Sequence, residues 1–294
     1  MAASCDVGGS MTNIGVLLLA LVVASPAAAR AEIQAPDTVV VPSGHLRLKA
    51  LLWQPAGHGP FPAVLFNHGS WPTNTRSGRP AREIFEQAAA LGPVFARHGF
   101  VFLFLFRRGA GLSVSQGVSA ADLLDMEFAA NGQEARNRTQ LRLLEGNELT
   151  DALAGLAFLR ALPKVDPRRI AVAGHSFGGS LTLLVAEHDT SLIAAVDFAG
   201  AAASWDRSPQ LRARLLKAVG AATMPLFFIH AANDYSVAPG KALAAERHRL
   251  AKPYRIKIYP AFGTTTSEGH NLVDFSVSAW ESDVFTFLDE QLRR

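Results

Sequence analysis

Cysteine is almost absent from this chain of 294 residues: Cys5 is the only one. A lone thiol closes no intrachain disulfide and builds no cysteine-rich metal site, so stability must come from an apolar core. Long apolar runs are missing too. The run from Ile14 to Ala24 is 11 residues, against the ~20 that a membrane-spanning helix needs. Neither charge sign dominates, with 28 Lys and Arg against 25 Asp and Glu, a net +3. The basic residues are scattered rather than interleaved with aromatics, which argues against nucleic-acid binding. There is no His-Glu-x-x-His, no cysteine pair and no His–carboxylate cluster at ligand spacing, so no metal is expected. No phosphate-cradling glycine loop and no dinucleotide fingerprint occurs, so no organic cofactor is expected either.

What is present is apolar and ordered. Hydrophobic residues make up 49% and charged residues 18%, enough to bury a large core and too little charge for global disorder. The first thirty residues stand apart. The short apolar run is followed by the small residues of SPAAARA, the layout of a secretory signal peptide, although the preceding segment carries Asp6 and no Lys or Arg. Residues 1–31 are therefore expected to be a leader cleaved near 29–31, and residues 32–294 a single domain, secreted or periplasmic. Cleavage would remove Cys5 and leave no thiol.

Beyond the leader there is no repeat and no low-complexity linker. Val39–Val41 and Leu46–Trp53 are expected as early strands, the second with period-two alternation. Ala63–Phe66 and Phe100–Phe106 are continuous apolar runs, as central parallel strands covered on both faces should be. Arg169–Ala173, Leu192–Phe198, Pro225–Ile229 and Tyr254–Tyr259 complete eight. Helices are expected over Ala81–Arg97, Glu148–Leu162, Gly178–Glu187, Gln210–Val219, Pro239–Ala251 and Trp280–Arg294, with another around Gln133–Leu144. Alternating strands and helices imply an α/β fold: a mostly parallel eight-stranded sheet, helices on both faces, and a ligand site at the carboxyl ends of the strands.

The most informative stretch is RIAVAGHSFGG, from Arg169 to Gly179. A β-branched, small-residue strand runs into Gly174-x-Ser176-x-Gly178 and then into an apolar helix. That strand–turn–helix setting lifts a serine hydroxyl above the sheet beside a helix N-terminus, where developing negative charge is favoured. Ser176 is the candidate nucleophile.

From Val39 to the C-terminus the chain resembles the α/β-hydrolase superfamily, most closely its dienelactone hydrolase-like and prolyl-oligopeptidase-like serine hydrolases. The resemblance rests on Asn67-His68-Gly69, Arg107-Arg108-Gly109-x-Gly111-x-Ser113, the elbow Gly174 to Gly179, Asp234 after the seventh strand, and Gly269-His270. Dienelactone hydrolase itself uses a cysteine nucleophile, where this chain has Ser176. In such hydrolases the order is serine, acid, histidine. His270, in the loop GTTTSEGHN after the eighth strand, is then the base. Asp234 is the acid, with Asp197 at the end of the sixth strand as its rival. His175, His188, His230 and His248 sit in or beside regular elements and are read as structural. Oxyanion-hole donors are expected at the backbone N–H of Phe177 and of Ser70, with Gly69 or Trp71 as alternatives for the second. Trp71 and Trp205 could line the substrate pocket or simply pack their loops. For Arg107 and Arg108 the favoured reading is a buried arginine paired with a carboxylate for structure, while the resemblance alternatively makes Arg108-Gly109 part of the floor beneath the site. The resemblance implies an esterase acting on a small-molecule ester through an acyl-enzyme on Ser176. Peptide or amide hydrolysis, transacylation and a non-catalytic binding role stay open, as does the oligomeric state.

Overall fold

The segment Val101–Phe106, VFLFLF, shows how the sequence builds its sheet. All six residues are buried. Val101, Leu103 and Leu105 join one apolar cluster, while Phe102, Phe104 and Phe106 join a second. Side chains alternate across a strand, so each face of the sheet receives its own set. The computed structural model describes residues 1–6, 8–9, 35–70 and 82–293. The chain divides into two units, Met1–Glu32 and Ile33–Arg294. The expected leader cleavage near 29–31 lies outside the described residues.

Eight strands form one sheet: β1 (Asp37–Ser43), β2 (Leu46–Trp53), β3 (Phe61–Asn67), β4 (Val101–Phe106), β5 (Val165–His175), β6 (Ala194–Phe198), β7 (Leu226–Ala231) and β8 (Tyr254–Tyr259). Their spatial order is β1-β2-β4-β3-β5-β6-β7-β8. The β1–β2 and β2–β4 pairs are antiparallel, and every pair from β4 through β3 to β8 is parallel. The long helices are α1 (Arg82–Arg97), α2 (Ala120–Glu145), α3 (Asn147–Ala161), α4 (Phe177–His188), α5 (Pro209–Ala221) and α6 (Ala238–Arg249). Two short ones, α7 (Thr266–His270) and α8 (Leu272–Phe275), precede the last, α9 (Val277–Leu292).

Two cores result. Leu91 and Phe95 of α1 and Trp280, Val284 and Leu288 of α9 pack with the phenylalanine face of β4. Leu156, Leu184, Leu215 and Leu243, from α3, α4, α5 and α6, pack with the leucine face. Trp280 is fully buried, and its indole N–H donates to the Val273 carbonyl at 2.9 Å, so its polar atom is satisfied while the ring fills the core.

Two elements differ from expectation. The helix expected around Gln133–Leu144 is the second half of α2, which starts much earlier. Ser119 caps it, its hydroxyl oxygen accepting from the Asp122 N–H. Gly132 then breaks the helix with φ 77° and ψ −172°, a conformation open to glycine. The segment holding His270 was expected as a loop but ends in α7. There Thr265 and Glu268 form a reciprocal capping box, which supplies the N-terminal partners a five-residue helix otherwise lacks.

Candidate active site

Strand β5 ends at the elbow. Ser176 is held at φ 58° and ψ −116°, a backbone region costly for any residue with a Cβ. Close packing enforces it: a Cβ on Gly174 would strike the Gly178 carbonyl, and one on Gly178 would strike the Asn67 carbonyl. The Ser176 N–H donates to the Phe198 carbonyl at 2.8 Å, anchoring the turn to β6. Phe177 is the first residue of α4, so its N–H has no carbonyl within the helix to bond.

The structure brings Ser176, His270 and Asp234 together. The Ser176 hydroxyl lies 2.9 Å from His270 Nε2, and His270 Nδ1 lies 2.7 Å from Asp234 Oδ1. The carboxylate fixes the imidazole proton on Nδ1 and leaves Nε2 as the acceptor facing the serine. Asp234 has two further donors: the Tyr235 N–H at 2.7 Å to Oδ1, and His230 Nδ1 at 2.8 Å to Oδ2. Burial pushes the Asp234 carboxyl up, but the hydrogen bonds from His230 and His270 outweigh it and hold the group at about 2. Asp197, the rival acid, makes no hydrogen bond to His270. It is fully buried beneath the elbow, and neither carboxylate oxygen has a well-formed hydrogen bond among the described residues. Burial drives it up to about 7, with His230 and the Gly200 N–H pulling weakly the other way.

Two histidines read as structural are wired to this constellation. His230 occupies the second oxygen of Asp234. His175 Nε2 donates to the His270 carbonyl at 2.9 Å, while its Nδ1 faces the Gln87 amide at 3.3 Å. Burial, then the nearby His270, lowers His175 to about 3, so the ring is a neutral strut. Of the other two, His188 bonds the Leu184 carbonyl and His248 meets the Tyr254 ring. Asn233 also escaped sequence reasoning. Its amide donates to the Phe262 and Thr265 carbonyls at 2.8 and 2.9 Å, and its oxygen accepts from the Phe262 N–H at 2.9 Å. This clamp ties the segment before His270 to the end of β7. A polar residue next to Asp234 was the available signal.

Beneath the other wall, Arg107 pairs with Glu148 at 2.5 Å and donates to the His68 carbonyl at 2.8 Å, and Arg108 pairs with Asp151 at 2.7 Å. The Arg107–Glu148 pair is almost wholly buried and supports the turn that carries Ser70. A cavity of about 330 Å³ opens over Ser176, lined by Gly69, Ser70, Arg207, Tyr235, Ser267 and Asn271 among others. Trp205 is not in that lining. It is buried in the leucine-face core, and its carbonyl accepts from Arg212 at 2.7 Å, so it packs its loop and Arg207 takes the place beside the cavity. Trp71 lies outside the described residues. No cluster of metal-ligating side chains occurs among the described residues.

The sheet order and elbow are those of an α/β-hydrolase. The chain belongs to the dienelactone hydrolase family, whose model matches residues 48–290. It is 26% identical over 163 residues to the quorum-quenching protein AidA of Acinetobacter baumannii, a match covering 55% of this chain and 43% of that one. Among solved structures it is similar to a Pyrococcus horikoshii acylaminoacyl peptidase, with TM-score 0.60, 16% identity, and coverage of 88% of this chain and 41% of that one. It is also similar to Est1E of Butyrivibrio proteoclasticus, solved with ferulic acid bound, with TM-score 0.60, 18% identity, and coverage of 87% and 100%. The chain thus spans less than half the length of the first two relatives, and at these identities the solved structures speak for the fold alone.

Proposed function

We propose that this hydrolase-family protein cleaves carboxylic esters of small molecules through an acyl-enzyme on Ser176. The observation that carries the reading is the unbroken chain of short contacts from Asp234 through His270 to Ser176, at the floor of an open cavity. Serine is a weak nucleophile until a base takes its proton. His270 Nε2 accepts the hydroxyl proton as Oγ bonds to the ester carbonyl carbon. Asp234, held ionised, stabilises the imidazolium so formed. The Phe177 and Ser70 N–H groups are assigned to the developing oxyanion, where one such donor is worth roughly 3–4 kcal/mol in a comparable hydrolase. The imidazolium then protonates the departing alkoxide. Water repeats the sequence on the acyl-enzyme and releases the acid. No metal or organic cofactor enters these steps.

The test is fluorophosphonate labelling followed by p-nitrophenyl esters of graded acyl length. Labelling with turnover of at least one ester is expected, and neither would end the reading. A second reading, hydrolysis of peptides or amides, is favoured by the likeness to the acylaminoacyl peptidase fold. Matched p-nitroanilides separate the two: a peptide or amide hydrolase turns the anilide over at a measurable rate, and an esterase leaves it intact. We further propose that the protein is exported, on the strength of the leader-like segment. Among the described residues no helix is long and apolar enough to cross a membrane.

A further inference from the structure

The base sits on very little structure of its own. His270 ends α7, a helix of five residues, and a helix that short has little stability in isolation. Its place over Ser176 is therefore set by contacts from elsewhere in the fold. Two such contacts come from residues that directly precede a member of the constellation. Asn233, before Asp234, grips the segment ahead of α7 through Phe262 and Thr265. His175, before Ser176, reaches the His270 carbonyl itself at 2.9 Å.

The second contact has a defined direction. A carbonyl only accepts, which assigns the His175 proton to Nε2. Burial and the neighbouring His270 lower His175 to about 3, so near neutral pH the ring carries that one proton alone. Nδ1 is then an acceptor, and the Gln87 amide of α1 faces it as donor at 3.3 Å. Gln87 and His175 are both buried, so solvent does not compete for either bond. The two imidazoles stand 4.9 Å apart between ring centres. From nucleophile to base the path thus runs through one peptide unit, one imidazole and one hydrogen bond. A link that short leaves little freedom in the 2.9 Å separation between the Ser176 hydroxyl and His270 Nε2, and proton transfer depends steeply on such a separation.

We propose that His175 is a positioning residue, whose Nε2–H holds the His270 carbonyl and so sets the base at proton-transfer distance from the serine beside it. The catalytic consequence rests on the ester-hydrolase reading; the hold on His270 does not, and the two are measured separately.

The kinetic test compares two amides that differ by one methylene. In His175→Gln the side-chain nitrogen stands about where Nε2 stood and can still donate to the His270 carbonyl. In His175→Asn it stands about where Nδ1 stood and falls short. Steady-state kinetics of the full chain are read on one p-nitrophenyl ester, below each variant's urea unfolding transition. His175→Asn should lose about 10–100-fold in kcat, the order expected of a misplacement near 1 Å, with KM within about threefold of wild type. His175→Gln should stay within about fivefold of wild type. Equal kcat in the two variants, or a loss carried by KM, overturns the proposal. A merely structural role would lower the unfolding midpoint and leave the folded enzyme's kcat alone. If His175→Asn does not fold, Gln87→Met keeps the volume and removes the Nδ1 partner; it should lower kcat several-fold at unchanged KM, and wild-type kinetics there overturn the proposal equally.

Backbone hydrogen exchange over residues 266–275 reads the hold on His270 without any substrate. Exchange there should be at least about tenfold faster in His175→Asn, or in Gln87→Met, than in wild type and His175→Gln, with the sheet unchanged. Faster exchange in a protein that turns over no ester sinks the hydrolase reading and leaves the positioning contact standing. Unchanged exchange with normal ester turnover in these variants does the reverse.

Discussion

Asp197→Asn separates the buried acid that packs the elbow from the acid that serves His270. The Asp197 carboxyl is pushed from its ordinary 3.8 to about 7, first by burial and further by Asp234. Between those values the native state keeps a proton that the unfolded chain releases. Stability from this group is therefore present at low pH and is lost as pH rises through about 7. At about 1.36 kcal/mol per pH unit over roughly two units, wild type should lose on the order of 2.5 kcal/mol between pH 5 and pH 8 relative to the asparagine variant, which cannot titrate. Urea unfolding of both proteins at pH 5, 6, 7 and 8 at constant ionic strength measures the difference directly. Parallel curves would show that Asp197 is ionised throughout and that the burial argument is wrong. The variant should also keep turnover within a few-fold of wild type, because no hydrogen bond joins Asp197 to His270.

Asp234→Asn should lower kcat on any accepted ester by on the order of 10⁴, because the amide favours the wrong imidazole tautomer; steady-state kinetics on one p-nitrophenyl ester checks it. His230→Phe removes the donor at Asp234 Oδ2 and strips one of the bonds that hold the carboxyl at about 2. The native stability that Asp234 loses on acidification, between 3.8 and about 2, should be smaller in this variant and its loss should end at higher pH; urea unfolding of both proteins between pH 2 and pH 5 tests it. The native N-terminus should lie near residue 30, and intact mass of the exported protein decides between that and a retained leader.

The eight strands were legible because each is an apolar run, alternating or continuous, bounded by turn residues, and Ser176 was legible because the elbow packs its glycines into one short motif. The environment of the acid was not. His230 looks like one more strand residue, and only the turn after β7 folds Asp234 back onto it. His175 reads as the variable position of the elbow, yet its ring reaches across to the His270 carbonyl. The capping box at Thr265 and Glu268 was written in the sequence as Thr-x-x-Glu, but the surrounding threonines and glycine suggested a loop. The position of Trp205 after β6 left open whether it lines the pocket or packs its loop. The direction of its side chain depends on how the following turn closes, which periodicity does not encode.

In the proposed reaction the atom acylated is Ser176 Oγ. Intact mass and peptide mapping after treatment with a fluorophosphonate test it most directly. The account predicts one adduct per chain, on the peptide containing Ser176, absent from Ser176→Ala, whose ester turnover falls at least ~10³-fold while its fold survives. An adduct on another residue, or a Ser176→Ala protein retaining more than about a tenth of wild-type turnover, would contradict it.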